Sequence, residues 1–233
     1  MSQRCILCNS ESVTPLKFSK SAGKAGNRRF LRCNVCDLIF VPGNFHLSPE
    51  EEAARYRLHE NTLLNKEYVR MFLEKISLIH QYCPGISSVL DYGCGPEPVL
   101  AELLRRDGYE CDIYDPYFFP VFPEGTYDLV ISTEVFEHFR DVKSQIYNII
   151  SLLNPGGFVA VMTSFHDSIG DFEDWWYITD PTHVCFFGLK TFDWISKKFG
   201  LMMVYTNRNN FIILRKRQKT IIFITRYNNK HMG

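Results

Sequence analysis

The chain has 233 residues, and 45% of them are apolar, which is enough for one main domain with a packed core and a small additional unit. No run reaches the roughly 20 apolar residues of a membrane-spanning helix. The polar start of the chain is also unlike a signal peptide, so we expect a cytoplasmic protein with no membrane partner. Lysine plus arginine and aspartate plus glutamate each total 26, so the net charge alone excludes no class of partner.

The charges are unevenly distributed along the chain. Residues 1–45 hold seven basic and two acidic residues, and residues 208–233 hold seven basic residues and no acidic one. The long segment between them is acidic. Basic ends of this kind are either solvated surface or an electrostatic footprint for a polyanion, and composition favours neither interpretation.

Two Cys-x-x-Cys pairs stand near the start of the chain, separated by 24 residues: Cys5 with Cys8, and Cys33 with Cys36. Four thiolates in this spacing suit zinc, and a metal would stabilise a unit of about 45 residues whose own core is too small. Two disulfides are the alternative, which we disfavour because nothing marks the chain as secreted. The spacing predicts a structural zinc ribbon over residues 1–45, with substrate or partner docking as a second role.

The next segment, residues 46–83, is predicted to form linker helices. Ser48 is placed to cap a helix that begins with Pro49, and a second helix follows the interruption at Asn61-Thr62. Polar-tipped residues close to this interruption face either an active site or solvent: Tyr56, His59 and Asn61.

The stretch Val89–Pro96 is an apolar strand that closes on a glycine-rich turn, with a helix from Val99. Glycines at such a turn allow positive φ and bring backbone amides close to a ligand. A dinucleotide fingerprint would have a third glycine where Pro98 stands, and the Gly-Lys-Ser/Thr end of a phosphate loop is missing. Both of those alternatives are therefore weakened.

Further strands follow in the order of an α/β protein. Residues 110–115 form a strand that ends on Asp115, and a carboxylate there can accept both hydroxyls of a ribose, although a turn aspartate before Pro116 is the alternative. The segment to the next strand, residues 127–132, is short. Later elements are a helix at 142–153, a turn at 154–157, a strand at 158–163, an acidic and tryptophan-rich segment suited to a lid at 171–180, a helix at 191–199, and strands at 201–205 and 210–214.

From Val89 to about Arg215 this order resembles the class I S-adenosylmethionine-dependent methyltransferases. Their first motif, hydrophobic-Asp-x-Gly-x-Gly, is matched by Asp91, Gly93 and Gly95, and the Pro-Gly-Gly turn before an apolar strand is a frequent hallmark of the same fold. The resemblance implies an α/β Rossmann-like fold with a mostly parallel sheet and an antiparallel C-terminal hairpin. The region of the usual third strand is shortened.

The resemblance also implies S-adenosylmethionine as cofactor. Its binding residues would be Asp91, Tyr92, Gly93 and Gly95 on the methionine side, Asp115 at the ribose, and Ser132 and Thr133 beside the methyl group. The residue at adenine cannot be assigned because of the shortened region, although Tyr117, Phe118 and Phe119 could enclose the base.

Glu134, Glu137 and His138 stand at i, i+3 and i+4, so a helix after the strand would place them on one face. With His183 they form an oxygen and nitrogen set suited to a divalent ion. The set is similar to the Glu-x-x-Glu-His of the 3′-terminal RNA 2′-O-methyltransferases and of ubiquinone-type O-methyltransferases, where it serves a metal site. The alternatives are His138 as base or orienting group, and a purely structural role.

We therefore predict an enzyme that methylates an oxygen of a small-molecule acceptor, with a catalytic set of Glu134, Glu137, His138 and His183. An RNA or protein methyltransferase that docks its substrate on the ribbon and basic ends is the alternative, and a non-catalytic cofactor-binding scaffold is the third. The predicted domain division is a zinc ribbon at 1–45, linker helices at 46–83, a methyltransferase domain at 84–215 and a basic tail at 216–233.

Overall fold

The computed structural model describes residues 3–18, 26–58 and 62–218. Five α-helices lie in these ranges: α1 (Pro49–Tyr56), α2 (Lys66–Tyr82), α3 (Val99–Arg106), α4 (Val142–Ser151) and α5 (Leu189–Phe199). The strands are β1 (Val13–Pro15), β2 (Leu31–Cys33), β3 (Ile39–Phe40), β4 (Ser88–Tyr92), β5 (Glu110–Tyr114), β6 (Tyr127–Thr133), β7 (Leu153–Met162), β8 (Cys185–Phe186), β9 (Leu201–Thr206) and β10 (Phe211–Lys216).

Six strands form the central sheet in the order β5-β4-β6-β7-β10-β9. The first four are parallel, whereas β10 runs antiparallel to both β7 and β9. Residues 115–126, which are all described, contain neither helix nor strand between β5 and β6, apart from an isolated bridge between Asp115 and Phe119. The predicted Rossmann-like α/β fold, its antiparallel C-terminal hairpin and its shortened third-strand region are confirmed.

Helices cover both faces of this sheet. Apolar side chains of α2 and α3 pack on one face, and those of α4 and α5 pack on the other. Strand β6 is buried on both sides because Leu129 and Ile131 face the first layer while Val130 faces the second. The carboxyl ends of the parallel strands therefore meet at one edge, where ligands bind in open α/β sheets.

The four-cysteine unit, residues 3–18 and 26–41, does not stand apart from the rest of the chain. Its strands form a small sheet in the order β1-β2-β3-β8, in which β8 comes from the C-terminal half. Apolar residues of both parts share one cluster: Phe30, Ile39 and Val41 pack with Trp175, Tyr177, Ile178, Val184 and Phe186. The domain boundary at residue 45 stays a prediction.

Helix α1 begins as the sequence indicates. The Ser48 hydroxyl accepts from the Glu51 amide at 3.2 Å, and the Glu51 carboxylate accepts from the Ser48 amide at 2.8 Å. This capping box satisfies two backbone donors that the helix itself leaves unpaired.

The predicted turn at 154–157 lies instead inside β7, and the preceding helix ends at Ser151. Gly157 allows the strand to begin this early, because the backbone can approach its neighbours closely there. A Cβ at this position would lie 3.0–3.1 Å from the carbonyl oxygens of Asn154, Tyr127 and Asp128. The strand begins in a bulge where backbones approach closely, with a register shift opposite Tyr127 and Leu129.

Within the described ranges, no helix is both long and apolar enough to cross a membrane.

Candidate functional site

The glycine-rich turn follows β4 at the carboxyl edge of the sheet. Gly93 has φ +87°, and a Cβ there would lie 2.4 Å from Val135 Cγ2, so the turn packs directly against the segment that follows β6. Gly95 also has a positive φ, +69°, but no atom of residues 3–18, 26–58 or 62–218 lies within 4 Å of the position that a Cβ would take. The turn therefore needs glycine for packing at Gly93 and leaves open space for a ligand at Gly95.

Two carboxylates flank this turn. Asp91 is 1% exposed, its Oδ1 atom has no hydrogen-bond partner within the described part of the chain, and burial raises its pKa to about 7. Asp115, at the end of β5, accepts from the Gly95 amide at 3.0 Å and from the Tyr117 and Phe118 amides at 2.8 and 3.1 Å. These contacts hold Asp115 against the turn, and they leave its oxygens further acceptor capacity for a ligand.

The side chains of the other predicted cofactor residues differ in whether they are free to contact a ligand. The Tyr92 hydroxyl donates to Gln145 Oε1 at 2.7 Å, and the buried Ser132 hydroxyl donates to the Tyr92 carbonyl at 2.9 Å, so both side chains are used inside the protein. Thr133 is half-buried at the end of β6. The residues present fit an adenosyl cofactor chiefly through the open turn at Gly95 and the carboxylates of Asp91 and Asp115.

A second group of side chains converges beside this turn. Glu137, His138 and His183 each bring one possible ligand atom within 4.8 Å of the others. Glu137 is fully buried, and its Oε2 accepts from the Thr163 hydroxyl at 2.8 Å. Its Oε1 has no hydrogen-bond partner among the described residues and lies 3.9 Å from His138 Nε2. Three of the four predicted catalytic residues are thus brought together.

Backbone carbonyls orient both imidazoles through their Nδ1 atoms. Nδ1 of His138 lies 3.0 Å from the Thr182 carbonyl oxygen, and Nδ1 of His183 lies 2.8 Å from the Tyr177 carbonyl oxygen. Because a carbonyl only accepts, each Nδ1 carries a hydrogen, so in the neutral ring the lone pair is on Nε2. Histidines that ligate metals are held in the same way. Burial lowers the pKa of His183 to about 4, which keeps the ring neutral at pH 7.

Glu134 stands next to this group without joining it. It has φ +54° directly after β6, and its Oε2 accepts from the Tyr177 hydroxyl at 3.3 Å. The residue is partly exposed, yet the surrounding protein displaces water from the carboxyl group and the charge of Glu137 repels it, and both effects raise the pKa of Glu134. The expected helical face is replaced by a short 3-10 turn, Phe136–His138, that directs Glu137 inward.

Tyr177 is a site residue that sequence analysis did not single out. Its ring centroid lies 4.1 Å from that of His183, its hydroxyl reaches Glu134, and it is 1% exposed. It comes from the segment predicted as a lid, which packs against the four-cysteine unit. The aromatic run Trp175-Trp176-Tyr177 is the sequence feature that could have indicated a site residue here, but periodicity does not specify which of the three rings faces the site.

Helix α1 covers the site from outside. The Tyr56 ring meets His138 edge-on at 5.3 Å, and Glu52, 3% exposed, accepts from the Tyr117 hydroxyl at 2.6 Å and pairs with Arg140 at 2.8 Å. Of the residues predicted near the interruption, Tyr56 therefore faces the site, whereas His59 and Asn61 lie outside the described residues.

The four cysteines lie together as the spacing predicts. Cys5 Sγ is 3.5 Å from Cys36 Sγ, Cys8 Sγ is 3.4 Å from Cys33 Sγ, and all four sulfurs lie within 4.8 Å of one another. A tetrahedral zinc ion with Zn–S bonds of about 2.3 Å has sulfur–sulfur separations of about 3.8 Å. The donor set and its size fit zinc.

A family model described as "Methyltransferase domain" matches residues 56–206. A comparison with curated proteins gave no match.

Among solved structures, an O-methyltransferase family protein from Burkholderia thailandensis is similar at 15% identity and a TM-score of 0.49, over 72% of this chain and 63% of that one. The plantazolicin methyltransferase BpumL, solved with SAH, is similar at 12% identity and a TM-score of 0.49, over 73% of this chain and 92% of that one. The mitomycin 7-O-methyltransferase MmcR is similar at 14% identity and a TM-score of 0.49, over 74% of this chain and 59% of that one. The chain spans less than two thirds of the length of the first and third.

Proposed function

The chain belongs to the family of methyltransferase domains, and we propose that it transfers the methyl group of S-adenosylmethionine to an oxygen of a small-molecule acceptor. The observation that carries this proposal is the convergence of Glu137, His138 and His183 beside the glycine turn. The contact between Gly93 and Val135 joins the two, since Val135 directly precedes the turn that holds Glu137. The cofactor and the acceptor would thus meet at one place.

Bound S-adenosylmethionine would supply a methyl group on a sulfonium, and in-line transfer of that methyl group to an acceptor oxygen would break its bond to sulfur and release the thioether S-adenosylhomocysteine. The protein has to bind, align and assist the loss of the hydroxyl proton. Asp115 and the open turn at Gly95 would hold the adenosine end, and Asp91 would shape the methionine end. Residues 132–134, at the end of β6, would flank the methyl group.

Glu137, His138 and His183 would hold a divalent ion at the acceptor side. Two Nε2 lone pairs and an unpaired buried Glu137 oxygen converge there, and leaving them without a common partner is costly. Such an ion would supply positive charge that makes an acceptor hydroxyl more acidic. Glu134 and Tyr177 border this position and would contact the acceptor.

We also propose that Cys5, Cys8, Cys33 and Cys36 bind a structural zinc ion. The two Cys-x-x-Cys turns share the same backbone hydrogen bond. The Asn9 amide donates to the Cys5 carbonyl at 2.9 Å, and the Asp37 amide donates to the Cys33 carbonyl at 3.0 Å. With four thiolates, the ion would have no open position for catalysis.

A polyanionic acceptor such as RNA is less well supported, because several basic residues of the four-cysteine unit are used internally. Arg28 donates to the carbonyl oxygens of Ile178 and, at 3.0 Å, of His183, while Arg32 pairs with Asp37 at 2.8 Å. The basic residues beyond 218 lie outside the described residues. Retention on heparin with a steep salt dependence would favour RNA, whereas weak retention supports the small-molecule proposal.

Titration with S-adenosylhomocysteine tests the cofactor proposal, and Mn²⁺ tests the second metal because it prefers carboxylate and imidazole over four thiolates. We expect the zinc-loaded protein to bind both, and His183→Ala to weaken Mn²⁺ binding at least tenfold with one zinc per chain retained. His80→Ala removes a surface imidazole that pairs with Asp107 and serves as the control. Absent S-adenosylhomocysteine binding would refute the cofactor proposal, and equal Mn²⁺ affinity in both variants would refute the metal proposal.

A further inference from the structure

Thr163 is a polar residue that directly follows strand β7, at the edge of the sheet where the candidate metal site lies. The residue is fully buried. Its backbone amide donates to the Asn210 carbonyl at 3.0 Å, just before β10 begins. The hydroxyl group is therefore held in place by the central sheet and shielded from water.

The Thr163 hydroxyl hydrogen-bonds Glu137. It donates to Glu137 Oε2 at 2.8 Å, and because an ionised carboxylate can only accept, the hydrogen belongs to Thr163. The Tyr177 hydroxyl lies farther away, 3.4 Å from Thr163 Oγ1, and donates to Glu134 at 3.3 Å. The shorter bond, from Thr163 to Glu137, is thus the one that restrains the Glu137 carboxylate.

This hydrogen bond makes the two oxygens of Glu137 different. Oε2 is bound by Thr163, whereas Oε1 has no hydrogen-bond partner in the described ranges and lies 3.9 Å from His138 Nε2. Turning the carboxylate about its last bond would break the contact with Thr163, and a broken hydrogen bond at a fully buried carboxylate is costly. Glu137 therefore presents one defined oxygen toward His138.

We propose that Thr163 is a positioning residue of the candidate metal site, and that its hydroxyl holds Glu137 with Oε1 directed at the divalent ion. The inference rests on the proposed function, since it concerns the same ion. A side chain that hydrogen-bonds a metal ligand restricts the orientation of that ligand, so less conformational freedom is lost when the ion binds. Thr163 itself would contact neither the ion nor the acceptor.

Titration calorimetry with Mn²⁺ on the zinc-loaded protein tests this role without an acceptor. Thr163→Val keeps the shape of the side chain and removes the hydroxyl, so we expect the Mn²⁺ affinity to fall about 10- to 100-fold, the range for partners of metal ligands. Thr163→Ser keeps the hydroxyl and should bind Mn²⁺ about as tightly as wild type. Thr191→Val is the matched control, because Thr191 is also fully buried but its hydroxyl has no hydrogen-bond partner among the described residues.

Thermal unfolding separates this role from a purely structural one. If Thr163 only stabilises the fold, Thr163→Val lowers the melting temperature while the folded protein binds Mn²⁺ like wild type, and that result would overturn the inference. Equal losses of Mn²⁺ affinity in Thr163→Val and Thr163→Ser would also overturn it, because the hydroxyl would then not be the group responsible. If Thr163→Val does not fold, Thr163→Ala is measured in its place.

The behaviour of wild type distinguishes this inference from the proposal on which it rests. If wild type binds no Mn²⁺ beside its zinc, the metal proposal is wrong and the role of Thr163 is wrong with it. If wild type binds Mn²⁺ and Thr163→Val binds it equally well, the metal proposal stands and only the role of Thr163 is refuted.

Discussion

Gly93 and Gly95 share a left-handed backbone but differ in their surroundings. We expect Gly93→Ala to destabilise the protein by about 2–4 kcal/mol, because backbone strain adds to a clash between the new Cβ and Val135 at 2.4 Å. Gly95→Ala meets no atom within 4 Å, so it should cost only about 1 kcal/mol of strain. Urea unfolding of the two variants measures this difference.

Ligand binding tests the Gly95→Ala variant in a second way. The methyl group of Gly95→Ala enters the open space beside the turn, so its affinity for S-adenosylhomocysteine should fall at least tenfold in a protein that remains folded. If Gly95→Ala binds like wild type, the ligand does not approach the turn at this position.

Asp91 predicts a pH dependence of stability. Burial raises its folded pKa from 3.8 to about 7, the charge of Asp115 adds to this, and Arg105 opposes it. Because the folded pKa is raised, the neutral carboxyl is favoured in the fold, and wild type loses stability as pH rises from about 4 through 7. Asp91→Asn removes the titration. Its stability relative to wild type should therefore improve by about 2 kcal/mol between pH 5.5 and 7.5.

Urea unfolding at several pH values in that range, with zinc present, measures the effect. Asp112→Asn, on the neighbouring strand, is the control. Parallel stability curves for wild type and Asp91→Asn would show that Asp91 is already ionised in the fold.

Helix α1 is held over the site by contacts of two of its side chains, Glu52 and Arg55. Besides the Glu52 contacts, Arg55 pairs with Asp180 through two nitrogens at 3.0–3.2 Å. Glu52→Ala leaves Arg140 and the Tyr117 hydroxyl without their shared acceptor, so the helix should detach more often and uncover His138.

Hydrogen exchange over residues 49–56 reports this opening. We expect about a tenfold loss of protection in Glu52→Ala, and no change in Glu50→Ala, whose side chain is exposed on the same helix. Equal protection in wild type and Glu52→Ala would mean that the capping box and Arg55 hold α1 alone.

Considered as a whole, the molecule connects the four-cysteine unit to the candidate metal site through a short chain of backbone contacts. The Val41 amide donates to the Val184 carbonyl at 2.8 Å, and the Val184 amide donates to the Glu137 carbonyl at 2.8 Å. Arg28 adds its bond to the His183 carbonyl. The unit thus helps to position two of the three converging ligands.

Loss of zinc should therefore weaken the distant site. We expect Cys36→Ser, or removal of zinc with a chelator, to lower the affinity for Mn²⁺ at Glu137, His138 and His183 at least tenfold, although no cysteine belongs to that group. Cys83→Ser, which removes a buried thiol from the opposite side of the central sheet, is the control. Unchanged Mn²⁺ affinity in the zinc-free protein would show that the two sites are independent.

Local patterns determined much of this protein. Alternating and helical apolar spacing, the Ser48 cap and the cysteine pairs act over a few residues, so they predicted the sheet, the order of elements and the four-cysteine cluster. The glycine turn was predictable for the same reason, because a positive φ is a property of single residues. The bulged start of β7 was not, since the approach of carbonyls to Gly157 depends on the neighbouring strand.

Only the tertiary structure decided which polar side chains meet. Helical spacing grouped Glu134 with Glu137 and His138, but a left-handed Glu134 and a 3-10 turn separate it from them. Tyr177 reaches the site from a distant segment, and its burial depends on contacts with the four-cysteine unit. Sequence periodicity specifies which face of an element is apolar, whereas the position of a buried charge or hydroxyl depends on how distant elements pack around it.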